Sequence, residues 1–150
     1  MKLIIAGSRD FTDFEYLNAH MNFAVPPWYK IEEIVSGGAR GADTLGEQFA
    51  QLNNIPLKVF SADWKRHGNK AGPMRNSEMG IYADGLVAFW DGKSTGTKHM
   101  IDYMKHWNKW ACVVRTDIPW DKQWALDKFD KRMYPILNNI EVYNETKSEN

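Results

Sequence analysis

The chain opens on "KLIIAG", a continuous apolar run that stops at glycine, the pattern of a strand buried on both faces. From Thr12 the period changes. Phe14, Leu17, Met21 and Val25 fall on one helical face, and Pro26–Pro27 ends it. "EEIVSGG" reads as a second strand. "GADTLGEQFAQLNN" reads as a second helix with Ala42, Leu45, Phe49 and Leu52 in a stripe, and "IPLKVF" as a third strand. A long polar stretch, Ser61 to Pro73, follows. Pro73 suits the first turn of a short helix running to about Tyr82. "GLVAFW" is a fourth strand. "TGTKHMIDYMKHW" is a helix with Met100, Ile101, Met104 and Trp107 inward, and "WACVV" is a fifth strand.

Strands alternating with amphipathic helices predict an α/β fold, a Rossmann-like three-layer sandwich on a mostly parallel sheet. Each crossover is expected to be right-handed, and the strand order to be 3-2-1-4-5 or a close variant, a Rossmann-like layout. The ends of strands one, two and four then lie side by side, and the ligand crevice sits outside them. Residues 1–116 are expected to form this domain and 117–143 an appendage on the same domain or a partner subunit. The appendage would hold a helix with Trp124, Phe129 and Met133 on one face and a strand, "IEVY". Residues 144–150 are expected to be disordered.

Composition narrows the function classes. The 150 residues suit one domain, and a formal net charge of zero gives no global field toward nucleic acid or membrane. Cys112 is the one cysteine. It excludes an internal disulfide, fits a reducing compartment and reads as a buried strand residue. The first apolar run is too short for a signal peptide, and no stretch has the length of a membrane-spanning helix, so a cytoplasmic protein is expected. His20, His67, His99 and His106 lack metal-ligand spacing, and neither a metal nor a cofactor is expected.

Three glycine-bearing loops follow the predicted strands: Gly7 to Phe11, Ser36 to Asp43, and Trp90 to Thr97, the last with Asp91 and Gly92. Glycine lets backbone amides approach an anion, and helix N-termini attract phosphate. "DGKS" is not a phosphate-binding P-loop, because Val87 stands where its first glycine belongs. "SGGARG" misses the dinucleotide fingerprint at Ser36. One such loop is explained by a tight turn; three at one sheet edge, carrying Arg9, Arg40 and Lys93, point to a binding site. Lys65, Arg66 and Lys70 read as a solvated charge run. Arg75 lies near a helix start, where the macrodipole disfavours a cation, so an anionic ligand is the better explanation. Asn76 offers a donor and an acceptor to a base or ribose edge. Trp64 reads as a core residue rather than a stacking one. Glu78, three residues past Arg75, and Asp43, at the end of the second loop, are the candidate catalytic carboxylates.

The segments "IAGSRDF", "VSGGARGAD", "FSADWKRHGNKAGPMRNSEM" and "ADGLVAFWDGKSTGTKHM", in that order, resemble the YspA-like family of the SLOG superfamily. That superfamily includes the LOG phosphoribohydrolases and is related to DprA. The resemblance runs from about Leu3 to Met104 and implies a nucleotide or nucleotide-derived ligand at the glycine loops. The matching positions are Gly7, Ser8 and Arg9; Gly37, Gly38, Gly41 and Asp43; Gly72, Pro73, Arg75 and Asn76; and Ser94, Gly96 and Thr97. LOG enzymes cleave the bond between base and ribose 5-monophosphate with the glutamate of G-T-x-x-E; here Met100 takes that position. Three functions follow: hydrolysis of a nucleotide N-glycosidic bond, with Glu78 or Asp43 replacing that acid; non-catalytic sensing or sequestering of a nucleotide such as an ADP-ribose derivative; and, more distantly, single-stranded nucleic-acid binding. The late tryptophans, Trp107, Trp110, Trp120 and Trp124, suggest either a large core or a homo-oligomer, dimer or tetramer.

Overall fold

The structure is a computed structural model and describes residues 1–118. The expected appendage and tail lie outside the described residues. Five strands form one all-parallel sheet in the order β3-β2-β1-β4-β5: β1 Lys2–Gly7, β2 Glu33–Ser36, β3 Leu57–Val59, β4 Gly85–Trp90 and β5 Trp110–Arg115. This is the predicted order. Helices α1 Phe14–Ala24, α2 Ala42–Leu52, α3 Trp64–His67, α4 Ala71–Tyr82 and α5 Thr95–His106 join them.

Alternation along the strands builds two cores, one per sheet face. Leu3, Ile5, Val87 and Phe89 face α1 and α2, where Leu17, Met21, Leu45 and Phe49 meet them. Ile4, Ala6, Leu86 and Ala88 face α4 and α5, against Met79, Met100, Ile101 and Met104. β4 is buried at every residue, as its unbroken apolar run requires. β3 is a short edge strand and exposed throughout.

Helix α4 agrees with the sequence reading: it spans Ala71–Tyr82 with Pro73 in its first turn, and a 3₁₀ turn over Gly68–Lys70 runs straight into it. Three details differ. Leu52 and Trp107 are exposed, Leu52 as the last residue of α2 and Trp107 as the residue that caps the end of α5. Cys112 is half-buried. Trp64 is not in the core at all.

Candidate functional site

The carboxyl ends of β1, β2 and β4 are tied together before any ligand is considered. Ser8 does much of this: its amide donates to Phe89 O at 3.0 Å, its carbonyl accepts from Ala42 N, and its hydroxyl accepts from Asp91 N at 3.2 Å. Gly41, at φ +79°, lets the second loop lie on the backbone of the first, where a Cβ would strike the Ser8 and Arg9 carbonyls. Asp91 accepts from the amides of Lys93 and Ser94, both at 2.8 Å, which pins the third loop at the start of α5. The Ser94 amide above all holds its carboxyl below the ordinary range.

Two adjoining compartments open above this edge. The larger, about 570 Å³, is lined by Arg9, Gly37 to Arg40, Ser61, Ala62, Trp64 and Arg75. The smaller, about 60 Å³, is lined by Gly7, Asp43, Asn76, Ser94, Gly96 and Thr97, with Met79 and Met100 among its apolar residues. Arg9, Ala39 and Arg75 belong to both walls.

Arg75 reaches into this junction from the second turn of α4. Its Nη1 donates to Gly37 O at 2.8 Å and its Nε to Asn76 Oδ1 at 3.3 Å. Gly37 has to be small: a Cβ there would stand 2.8 Å from Asp43 Oδ2 and 3.0 Å from Arg75 Cζ. Asn76 Nδ2 in turn donates to Gly96 O at 3.2 Å and meets His99 Nδ1 at 3.1 Å. That makes His99 Nδ1 the acceptor and leaves the ring proton on Nε2. The charges of Arg75 and Arg9 are not neutralised by any carboxylate within ion-pair distance among the described residues. Arg40 meets Asp10 at 3.8 Å, both exposed.

Asp43 is buried, and its Oδ2 accepts from Ala39 N at 3.1 Å. Burial pushes its carboxyl up to about 6, against the opposing pull of the Ala39 amide and Arg75. Burial likewise draws the Arg75 guanidinium below its ordinary value. At the start of α5, Ser94 makes no side-chain cap; its hydroxyl pairs with Thr97 Oγ1 at 3.0 Å. The first-turn amides of Gly96 and Thr97 are thus left for another acceptor.

The residues named from sequence divide clearly. Gly7, Arg9, Gly37, Gly38, Asp43, Arg75, Asn76, Ser94, Gly96 and Thr97 line the crevice. Ser8, Gly41 and Asp91 shape it from behind. Gly72 is buried beneath Trp64, while Gly92, at φ +80°, packs by Arg115. Pro73 and Glu78 are exposed and line neither compartment. Sequence reasoning placed Trp64 inside; it stands half-exposed on the larger compartment's wall. A polar segment with few apolar neighbours was the available signal. Among the described residues no cluster of histidine, cysteine or carboxylate side chains could hold a metal, and no helix is long and apolar enough to cross a membrane.

With this geometry in place, comparison with known proteins gives a family match over part of the chain. Residues 1–67 match the YAcAr family, the YspA, cpYpsA-related SLOG family. The resemblance read from the sequence is borne out at that level. The chain is also 43% identical over 72 residues to the Gene 61 protein of Mycobacterium phage D29, covering 44% of this chain and 58% of the phage protein. No solved structure matches the chain. The SLOG match spans β1, the first two glycine loops and α3, and ends at His67; α4 and α5 follow it.

Proposed function

We propose that the crevice binds a nucleotide or nucleotide-derived ligand through its phosphate. Arg75 carries this reading. It is a half-buried guanidinium without an ion-pair partner among the described residues, set on the wall common to both compartments. A half-buried guanidinium that makes no salt bridge, with Asp43 offsetting its charge only from a distance, keeps the capacity to take up an anion. The start of α5 supports the same assignment. Its free first-turn amides, the helix dipole and two hydroxyls suit a phosphate in the smaller compartment, leaving the larger for the nucleoside. The SLOG match is consistent with a nucleotide-related function. Titration calorimetry with nucleoside 5′-monophosphates tests this; binding unchanged in R75A that stays folded rejects it.

A catalytic form of this proposal is favoured by Asp43. Met100 is buried where LOG enzymes carry their glutamate, and Glu78 faces away, so Asp43 is the carboxylate on the compartment wall. At pH 7 it is mostly ionised. It could stabilise an oxocarbenium-like ribose and orient water toward C1 as the C1–N bond breaks. Water then supplies the C1 hydroxyl, and the base leaves carrying the remaining proton. Free base released by the wild type and not by D43N is the expected result. A ligand recovered intact favours the sensing or sequestering role instead. A dimer or tetramer belongs to the same proposal, on the strength of exposed Trp107; a monomer in sedimentation rejects it.

A further inference from the structure

Trp64 is 48% exposed, yet its position is fixed by three neighbours. Asp63 caps α3, accepting from Arg66 N at 3.1 Å. The tip of the indole lies over Gly72, where a Cβ would stand 3.1 Å from Trp64 Cη2. Glycine weakens a helix relative to alanine, so its presence in the first turn of α4 is best explained by the ring it seats. On the crevice side, the Arg9 guanidinium stands 5.7 Å from the ring centroid. That is near the outer limit of about 6 Å for such contacts and leaves much of the ring uncovered. The result is a large apolar face, unfavourable in water by itself, held on the wall of a cavity whose other walls carry Arg9, Arg40 and Arg75.

We propose that Trp64 is the stacking platform for the base of the bound ligand, so that the crevice takes a nucleotide with an aromatic base and discriminates against a bare sugar phosphate. This rests on the nucleotide reading above. An indole offers a π face and one donor, and every nucleobase has a π face, so the platform selects for the presence of a base and little for its identity. Arg9 completes the arrangement, because a guanidinium that already lies by the indole can also lie by a stacked base.

Ligand truncation combined with substitution separates this inference from the reading beneath it. Calorimetry compares adenosine, guanosine, cytidine and uridine 5′-monophosphates with ribose 5-phosphate, on the wild type, W64A and W64F. The wild type is expected to bind the four nucleotides roughly ten- to a hundredfold more tightly than ribose 5-phosphate. In W64A that preference should vanish while ribose 5-phosphate binds as before, and W64F should keep most of it. A preference that survives W64A, or equal binding of both ligand types by the wild type, overturns the stacking role alone. No binding of either type by the wild type overturns the nucleotide reading itself. Because the ring is half-exposed, W64A is expected to fold, and W64F guards the conclusion if it does not.

Discussion

Arg75 and Asp43 set the chemistry of the crevice, and each gives a measurable prediction. R75A removes the guanidinium that donates to Gly37 O and faces both compartments. A hydrogen bond to a charged group contributes about 1.5–3 kcal/mol, so nucleotide affinity should fall roughly ten- to a hundredfold. R75K keeps the charge without the planar fork and should fall between. For Asp43 the folded carboxyl titrates at about 6 and the unfolded one near its ordinary 3.8. Between those values the folded state holds more proton, so this group's contribution lowers stability as pH rises from about 4 to 6, by something on the order of 3 kcal/mol, and the loss persists above. D43N retains an acceptor for the Ala39 amide and removes the charge. It should be more stable than the wild type at pH 7 and equal to it near pH 4; parallel urea-unfolding profiles across that range would refute this. Arg75 was legible in sequence because a cation near a helix start defies local preference. Asp43 was legible as a position, but not its raised pKa, which depends on burial that only the packed loops create. Glu78 was misplaced by its angle on the helix: the buried residues of α4 are Ala71, Gly72, Asn76, Met79 and Gly80, with Arg75 at the margin of that face, and Glu78 lies further round the wheel toward solvent.

At the scale of elements, the start of α5 is the most informative. A capping serine usually contributes about 1 kcal/mol, but the Ser94 hydroxyl is spent on Thr97 and caps nothing. S94A should therefore melt close to the wild type and still bind nucleoside monophosphate more weakly; a large drop in melting temperature would show that the hydroxyl serves the fold. At the end of β2, G37A should push against Asp43 and Arg75 together. Misplacing positioned groups by about 1 Å can cost a hundredfold, so its binding defect should rival that of R75A, as titration of both variants would show. β1 and β4 were readable almost to the residue, because a strand buried on both faces has an unmistakable apolar run, whereas β3 is shorter than its segment and exposed. Helix ends were less readable. Leu52 and Trp107 keep the helical period but stand at helix ends, where they are exposed. The start of α4 was readable only to within a turn, from Pro73, because a 3₁₀ turn feeds it without a capping side chain.

For the whole molecule, a net charge of zero coexists with three arginines around one cavity. The strand order agrees with the Rossmann-like layout expected from the strand–helix alternation, and with it the edge at which the glycine loops meet. Which residues meet across that edge depends on chain-distant contacts, such as Gly37 with Arg75 and Asn76 with Gly96, that no local pattern encodes. A local positive field without a global one predicts that nucleotide binding weakens with salt, while a single-stranded oligonucleotide is not retarded at about 0.15 M ionic strength. Retardation in an electrophoretic shift assay would revive the nucleic-acid reading. The glycine beneath Trp64 carries a last consequence. Gly72 and Arg75 sit three residues apart on one helix, about 4.5 Å along its axis. On the reading proposed above, one helix therefore carries both the phosphate clamp and the seat on which the Trp64 ring of α3 rests. A shift of α4 then moves the clamp and disturbs the seat of the ring at once, so contacts to the phosphate and to the base are coupled through a single helix.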